Sequence, residues 1–150
     1  MKTAPAPTPH VLLIDDNSDG LLVRRSLLQE AGCTVALARN GEEGLKIFDA
    51  EKFDMVVTDY RMPPGMDGIA VIGHIRGKDP NARVILLSGF VEPLGLNEEN
   101  TGADIVIAKS SSEAAQLVRA VKRLLNRTVR KPPASQKRHR PRAGATVAGR

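Results

Sequence analysis

Apolar residues in this chain follow two different rhythms. Four runs are short and nearly continuous: Val11-Leu12-Leu13-Ile14, Met55-Val56-Val57-Thr58, Val84-Ile85-Leu86-Leu87 and Ile105-Val106-Ile107-Ala108. Runs of this length, rich in β-branched residues and bounded by polar segments, predict strands buried on both faces, as in a parallel sheet. With Thr34 to Ala38 they give five strands, at about residues 10–15, 34–38, 54–58, 83–87 and 104–108. Between them the apolar spacing lengthens to that of a helix. Leu21, Leu22, Leu27 and Leu28 supply a first helix over about residues 19–31, stopped by Gly32. A second carries Leu45, Ile47 and Phe48 and ends near Ala50; a third covers about residues 69–76. A last one aligns Ala114, Leu117, Val118, Val121, Leu124 and Leu125 on one face. Asn40 with Glu43, and Ser110 with Glu113, have the spacing of a capping box. The stretch from Phe90 to Gly102 is weakly patterned, holds Pro93 and Gly95, and predicts only a short helix.

Strands alternating with helices imply one α/β domain with right-handed crossovers around a parallel sheet. The 150 residues suffice for one such domain and a sizeable core. With no Trp, one Tyr and three Phe, that core is aliphatic. No stretch approaches the ~18–20 apolar residues of a membrane span. The single Cys33 has no disulfide partner within the chain, as expected in a reducing cytoplasm.

The net charge of +5 conceals an asymmetry. All 17 acidic residues lie at or before Glu113, whereas residues 127–150 hold eight Lys/Arg and no acid. The chain therefore reads as a Pro-rich arm (1–9), a folded domain (10–126) and a basic, disordered tail (127–150). Such a tail could bind nucleic acid by counterion release, though it lacks aromatic residues for stacking. A flexible solvated tail is the favoured reading.

The candidate chemistry sits where the four runs end: at Asp15-Asp16, Asp59, Ser88 and Lys109. Open parallel sheets bind ligands along the carboxyl edge of their strands. Each element alone is ordinary: an acidic pair after a strand is often a loop feature, and a lone lysine is usually solvated. Together, three carboxylates, a hydroxyl and an ammonium converge on one edge. Two unit charges ~4 Å apart repel by about 4 kcal/mol at an effective dielectric near 20, so such a site holds a proton or a cation. Oxygen-only ligation suits Mg²⁺, with Mn²⁺ as a substitute, whereas His10, His74 and His139 are too scattered for zinc. One carboxylate could then act as nucleophile toward a phosphoryl group.

The set Leu13-Ile14-Asp15-Asp16-Asn17, Val57-Thr58-Asp59-Tyr60-Arg61-Met62-Pro63, Met66-Asp67-Gly68, Leu86-Leu87-Ser88-Gly89 and Gly102-Ala103-Asp104 leading to Lys109 resembles the receiver domain of bacterial two-component response regulators. The resemblance covers about residues 10–126. It implies a flavodoxin-like fold with strand order 2-1-3-4-5 and five helices. It implies that Asp59 accepts a phosphoryl group from a sensor histidine kinase or phosphotransfer protein. Mg²⁺ would be held by Asp15, Asp16, Asp59 and the backbone carbonyl of Arg61, while Ser88 and Lys109 would stabilise the phosphoryl group. The face of the fourth helix, fifth strand and fifth helix would then change its affinity for a downstream protein. With only about 24 residues after the last helix, the chain is expected to be a stand-alone cytoplasmic switch and not a turnover enzyme.

Four positions depart from the family pattern. The Met-Asp-Gly element stands one residue further from Asp59, Val106 occupies the usual aromatic switch position, Ser110 replaces a proline after Lys109, and Arg61 lies two residues after Asp59. None removes a catalytic group. Two rivals remain: a degenerate receiver that binds partners without phosphorylation, which Val106 keeps open, and an aspartyl-nucleophile phosphatase, which would want an acid where Arg61 stands.

Overall fold

The computed structural model describes residues 8–89 and 91–127. The expected arm and tail therefore lie almost wholly outside the described residues. Five parallel strands, β1 (His10–Ile14), β2 (Thr34–Ala38), β3 (Met55–Asp59), β4 (Val84–Ser88) and β5 (Ile105–Ala108), form one sheet in the order β2-β1-β3-β4-β5. The central strands β1, β3 and β4 are buried almost throughout, which is why their sequences are apolar without alternation. Their side chains nonetheless alternate between faces, as the pleat requires. Val11, Leu13, Met55, Val57, Ile85 and Leu87 enter one core, against Leu21 and Leu28 of helix α1 (Ser18–Glu30) and Leu117, Val121 and Leu124 of α6 (Glu113–Leu125). Leu12, Ile14, Val56, Val84 and Leu86 enter the other, with Leu45 of α2 (Gly41–Ala50) and Val71, Ile72 and Ile75 of α3 (Gly68–Lys78).

The first three helices begin on a side-chain cap: Asn17 accepts from the Gly20 amide, Asn40 from that of Glu43, and Asp67 from that of Ala70. Two capping expectations need correction. The Glu43 carboxylate accepts from the Arg39 amide, one residue before the cap. Ser110 does not cap α6, which starts at Glu113 after Ser112, and the Glu113 side chain is instead drawn to Arg24. On α1, Leu22 is 49% exposed while Arg24 is buried, so a charge occupies the inward stripe that leucine was expected to fill.

The fourth helical segment is broken into two single turns, α4 (Val91–Leu94) and α5 (Glu98–Thr101), so six helical pieces stand among the described residues where the sequence predicts five helices. Gly95, at φ +62°, ends the first turn. Asn97 and Asn100 then start the second with a reciprocal capping box. A Glu98 carboxylate oxygen accepts from the Val106 amide at 2.9 Å and so ties α5 to β5. No helix among the described residues is long and apolar enough to cross a membrane.

Candidate functional site

Strand register delivers the chemical groups to one edge. Ile14 pairs with Thr58, so Asp15 leaves β1 level with Asp59 at the end of β3. Asp59 pairs with Leu87, Ser88 follows it, and Ser88 pairs with Ala108, which Lys109 follows. The Lys109 amide donates to the Ser88 carbonyl at 2.9 Å, extending the ladder one residue beyond β5. Carboxylate oxygens of Asp15, Asp16 and Asp59 all lie within 4.8 Å of one another. Asp15 and Asp59 are buried and Asp16 is exposed, so the cluster opens to solvent on one side.

The cluster is partly neutralised from within. Lys109 Nζ lies 2.6 Å from Asp59 Oδ1, its side chain 33% exposed against 6% for the aspartate. Burial pushes the Asp59 carboxyl above its ordinary value; the Lys109 hydrogen bond and charge pull it down, Asp15 raises it and Arg24 lowers it. Asp15 accepts from the Asn17 amide at 2.9 Å through Oδ1 and from the Arg24 guanidinium through Oδ2. The same guanidinium reaches Glu113 through Nε at 2.7 Å and Nη2 at 3.2 Å. The donor set is all oxygen, clustered and open on one side, which fits a hard divalent cation such as Mg²⁺ that keeps several waters.

The loop after Asp59 is closed tightly despite its extra residue. The Gly68 amide donates to the Tyr60 carbonyl at 2.7 Å, and a Cβ at Gly68 would stand 2.4 Å from the Asp59 carbonyl oxygen. Only glycine allows that approach. Glu42 of α2 accepts from the Met66 amide at 3.3 Å. The additional length is taken up by the exposed Pro63, Pro64 and Gly65 between these anchors. Arg61 is exposed and lines the same small cleft as Tyr60, Asp67 and Leu94. Val106 is partly buried against the Leu12–Leu86 core.

Asp15, Asp16, Asp59 and Lys109 are thus brought together, with Ser88 buried at the same edge. Arg24 and Glu113, which no strand-end pattern points to, also belong here. A signal existed: Arg24 lies three residues after buried Leu21 and four before buried Leu28, where a helix facing a core carries an apolar residue.

The family model described as response regulator receiver domain matches residues 11–132. The chain is 35% identical over 116 residues to the C4-dicarboxylate transport transcriptional regulatory protein DctD of Rhizobium meliloti, covering 77% of this chain and 25% of that protein. The chain thus spans about a quarter of that relative's length. Among solved structures it is similar to response regulator protein TrrA of Thermotoga maritima in complex with Mg²⁺ and BeF. That likeness has 34% identity and a TM-score of 0.70, covering 77% of this chain and 98% of that one. It is equally similar, at 34% identity and TM-score 0.70, to a chain of the histidine kinase ThkA complex with TrrA, covering 79% and 99%. The sheet order and the carboxylate–lysine edge are those expected of this family, and the chain belongs to the receiver domains of two-component response regulators.

Proposed function

We propose that Asp59 is the phosphoacceptor of this receiver domain. The observation that carries the reading is the position of Asp59, within 4.8 Å of the Asp15 and Asp16 oxygens and 2.6 Å from Lys109 Nζ. An Asp59 oxygen attacks the phosphorus of a phosphohistidine on a sensor kinase or phosphotransfer protein. As the O–P bond forms, the P–N bond breaks and its electron pair returns to the imidazole, which then takes up a proton. Lys109 leaves its bond to the Asp59 carboxylate for an oxygen of the transferred group, and Ser88 donates to another. A Mg²⁺ ion, or Mn²⁺ in its place, would be held by Asp15, Asp16, Asp59 and the Arg61 backbone carbonyl. Bound there, it would offset the charge of the incoming phosphoryl oxygens.

The consequence is a switch and not a turnover enzyme. Phosphoryl charge on Asp59 rearranges Lys109 and Ser88, and through them the ends of β4 and β5. Val106 offers no ring to turn inward. We therefore assign transmission to α5, whose Glu98 grips the Val106 amide, and to the surface of α4, α5, β5 and α6 where a downstream protein would dock. The setting proposed is the cytoplasm, consistent with the free, buried Cys33. The domain limits proposed are those read from the sequence, an arm over 1–9, a receiver over 10–126 and a basic tail over 127–150, for which a solvated role is favoured over nucleic-acid binding.

The test is intact-protein mass after incubation with acetyl phosphate, with Mg²⁺ or with excess chelator. Gain of one phosphoryl group that requires Mg²⁺ and disappears in Asp59→Asn is expected. No gain in a folded protein that also fails to bind beryllofluoride would favour the degenerate receiver, and sustained release of phosphate from simple esters would favour the phosphatase.

A further inference from the structure

Arg24 does something that the phosphorylation chemistry does not require. It lies on the buried face of α1, only 8% exposed, and bridges two carboxylates that are 98 residues apart in sequence: Asp15 in the acidic pocket and Glu113 at the first position of α6. The space for it is built in. Gly20, one turn earlier on α1, presents a bare Cα to the bridge, and a Cβ there would stand 2.8 Å from Arg24 Nη1 and 2.9 Å from Asp15 Oδ2. Burying a guanidinium is costly unless its donors are matched, and here two carboxylates match them. Among the four carboxylates Asp15, Asp16, Asp59 and Glu113 and the two cations Arg24 and Lys109, the charges sum to −2. That deficit equals one divalent cation.

We propose that Arg24 is the resident counter-cation of the pocket, and that Asp15 passes from Arg24 to the divalent cation while Glu113 retains the guanidinium. The inference rests on the metal-binding reading given above. Asp15 Oδ2 cannot direct the same lone pairs to a guanidinium and to a metal, so the two compete for it. Glu113 sets the outcome of the competition, because it offers Arg24 a second anchor at 2.7 and 3.2 Å that is unaffected by the loss of Asp15. Without that anchor, releasing Asp15 would strand a buried positive charge. Metal occupancy is thereby coupled to the α1–α6 junction, and Glu113 is only four residues beyond Lys109. Arg24 and Glu113 act through Asp15 and are positioning residues, not ligands.

The test is Mn²⁺ affinity of the full chain, read from the electron paramagnetic resonance signal of free Mn²⁺, for wild type, Arg24→Met, Glu113→Gln and the double variant. Arg24→Met is expected to tighten Mn²⁺ about tenfold, by removing the competitor, and Glu113→Gln to weaken it by a similar factor. A simple field of fixed charges would give the same signs, so the double variant decides. Hand-over requires that Glu113→Gln have little effect once Arg24 is replaced, whereas a field gives additive shifts. Additive shifts, or no shift in either single variant, would overturn the proposal. Should Arg24→Met fail to fold, Arg24→Lys, which keeps the charge but cannot span both carboxylates, takes its place and should tighten Mn²⁺ by a smaller factor. Failure of the wild type itself to bind Mn²⁺ would sink the metal-binding reading, an outcome distinct from additive shifts in a protein that binds.

Discussion

Lys109 and Asp59 form an ion pair of 2.6 Å between the ends of strands that are not neighbours, with β4 lying between β3 and β5. The lysine spans a whole strand to reach the carboxylate, and its own amide is held by Ser88 on the strand it crosses. In the proposed reaction the pair holds a cation beside the carboxylate, near where the oxygens of an incoming phosphoryl group would bring their negative charge. The lysine's hydrogen bond and charge offset part of the cost of burying the Asp59 carboxylate, which burial still holds above its ordinary value.

Removing that cation should slow phosphoryl transfer without abolishing it. Lys109→Met retains the stem of the side chain and loses the charge. Phosphorylation by acetyl phosphate in saturating Mg²⁺ is expected to fall about 10²-fold, the scale for loss of one preorganised stabilising group. Time courses of intact mass measure it, and an unchanged rate would remove Lys109 from the chemistry.

Metal-free protein should become more stable when Asp59 loses its charge. Asp59 titrates higher in the folded state than in the unfolded chain, so the unfolded form gives up its proton first as pH rises. The folded state therefore binds more protons in that window, and stability falls as pH climbs from the ordinary carboxylate value through the raised one. Asp59→Asn removes this loss. Urea melts in chelator should show the variant gaining stability relative to the wild type as pH rises toward 7, with the gap closing below pH about 4. A constant gap across pH would contradict the assignment.

Gly68→Ala tests the closure of the loop beside the site. Its Cβ would meet the Asp59 carbonyl oxygen at 2.4 Å and the Leu86 side chain at 2.8 Å, and backbone cannot step aside as a side-chain tip can. A loss of about 1–3 kcal/mol in unfolding free energy from urea melts is expected, the range for overpacking, together with slower phosphorylation as Asp59 is displaced. Gly73, which has open space around it, serves as the control, where alanine should be neutral or stabilising.

Cys33 should be inert in the native protein. It is 5% exposed, and burial followed by the nearby Asp54 charge raises its thiol above the ordinary value. Reaction with an aromatic disulfide reagent at pH 8 should be slow in the native protein, limited by opening of the α1–β2 turn, and reach one equivalent at once only on denaturation. Immediate reaction would contradict the packing of that face.

The chain announced most of its fold because its core strands are apolar on both sides and end in chemically distinct residues. Val11 to Asp16 and Met55 to Asp59 carry both the strand and its product in one reading. The break between α4 and α5 was legible only as weak pattern, since the positive φ of Gly95 is a backbone property that composition merely permits. The Arg24–Glu113 bridge was hidden for a different reason. Pairing between residues on separate helices has no local period, and Ser110 to Glu113 offered a plausible cap that the longer-range attraction of Arg24 overrode.

The most direct measurement locates the phosphoryl group. Protein phosphorylated in Mg²⁺ is treated with borohydride, which reduces an aspartyl phosphate to homoserine, and the digest is sequenced by mass spectrometry. Homoserine at position 59, with unmodified aspartate at 15 and 16, is the result expected from the geometry of the Asp59–Lys109 pair. Homoserine at either of the other two positions, or none at all in protein shown to carry the phosphoryl group, would contradict it.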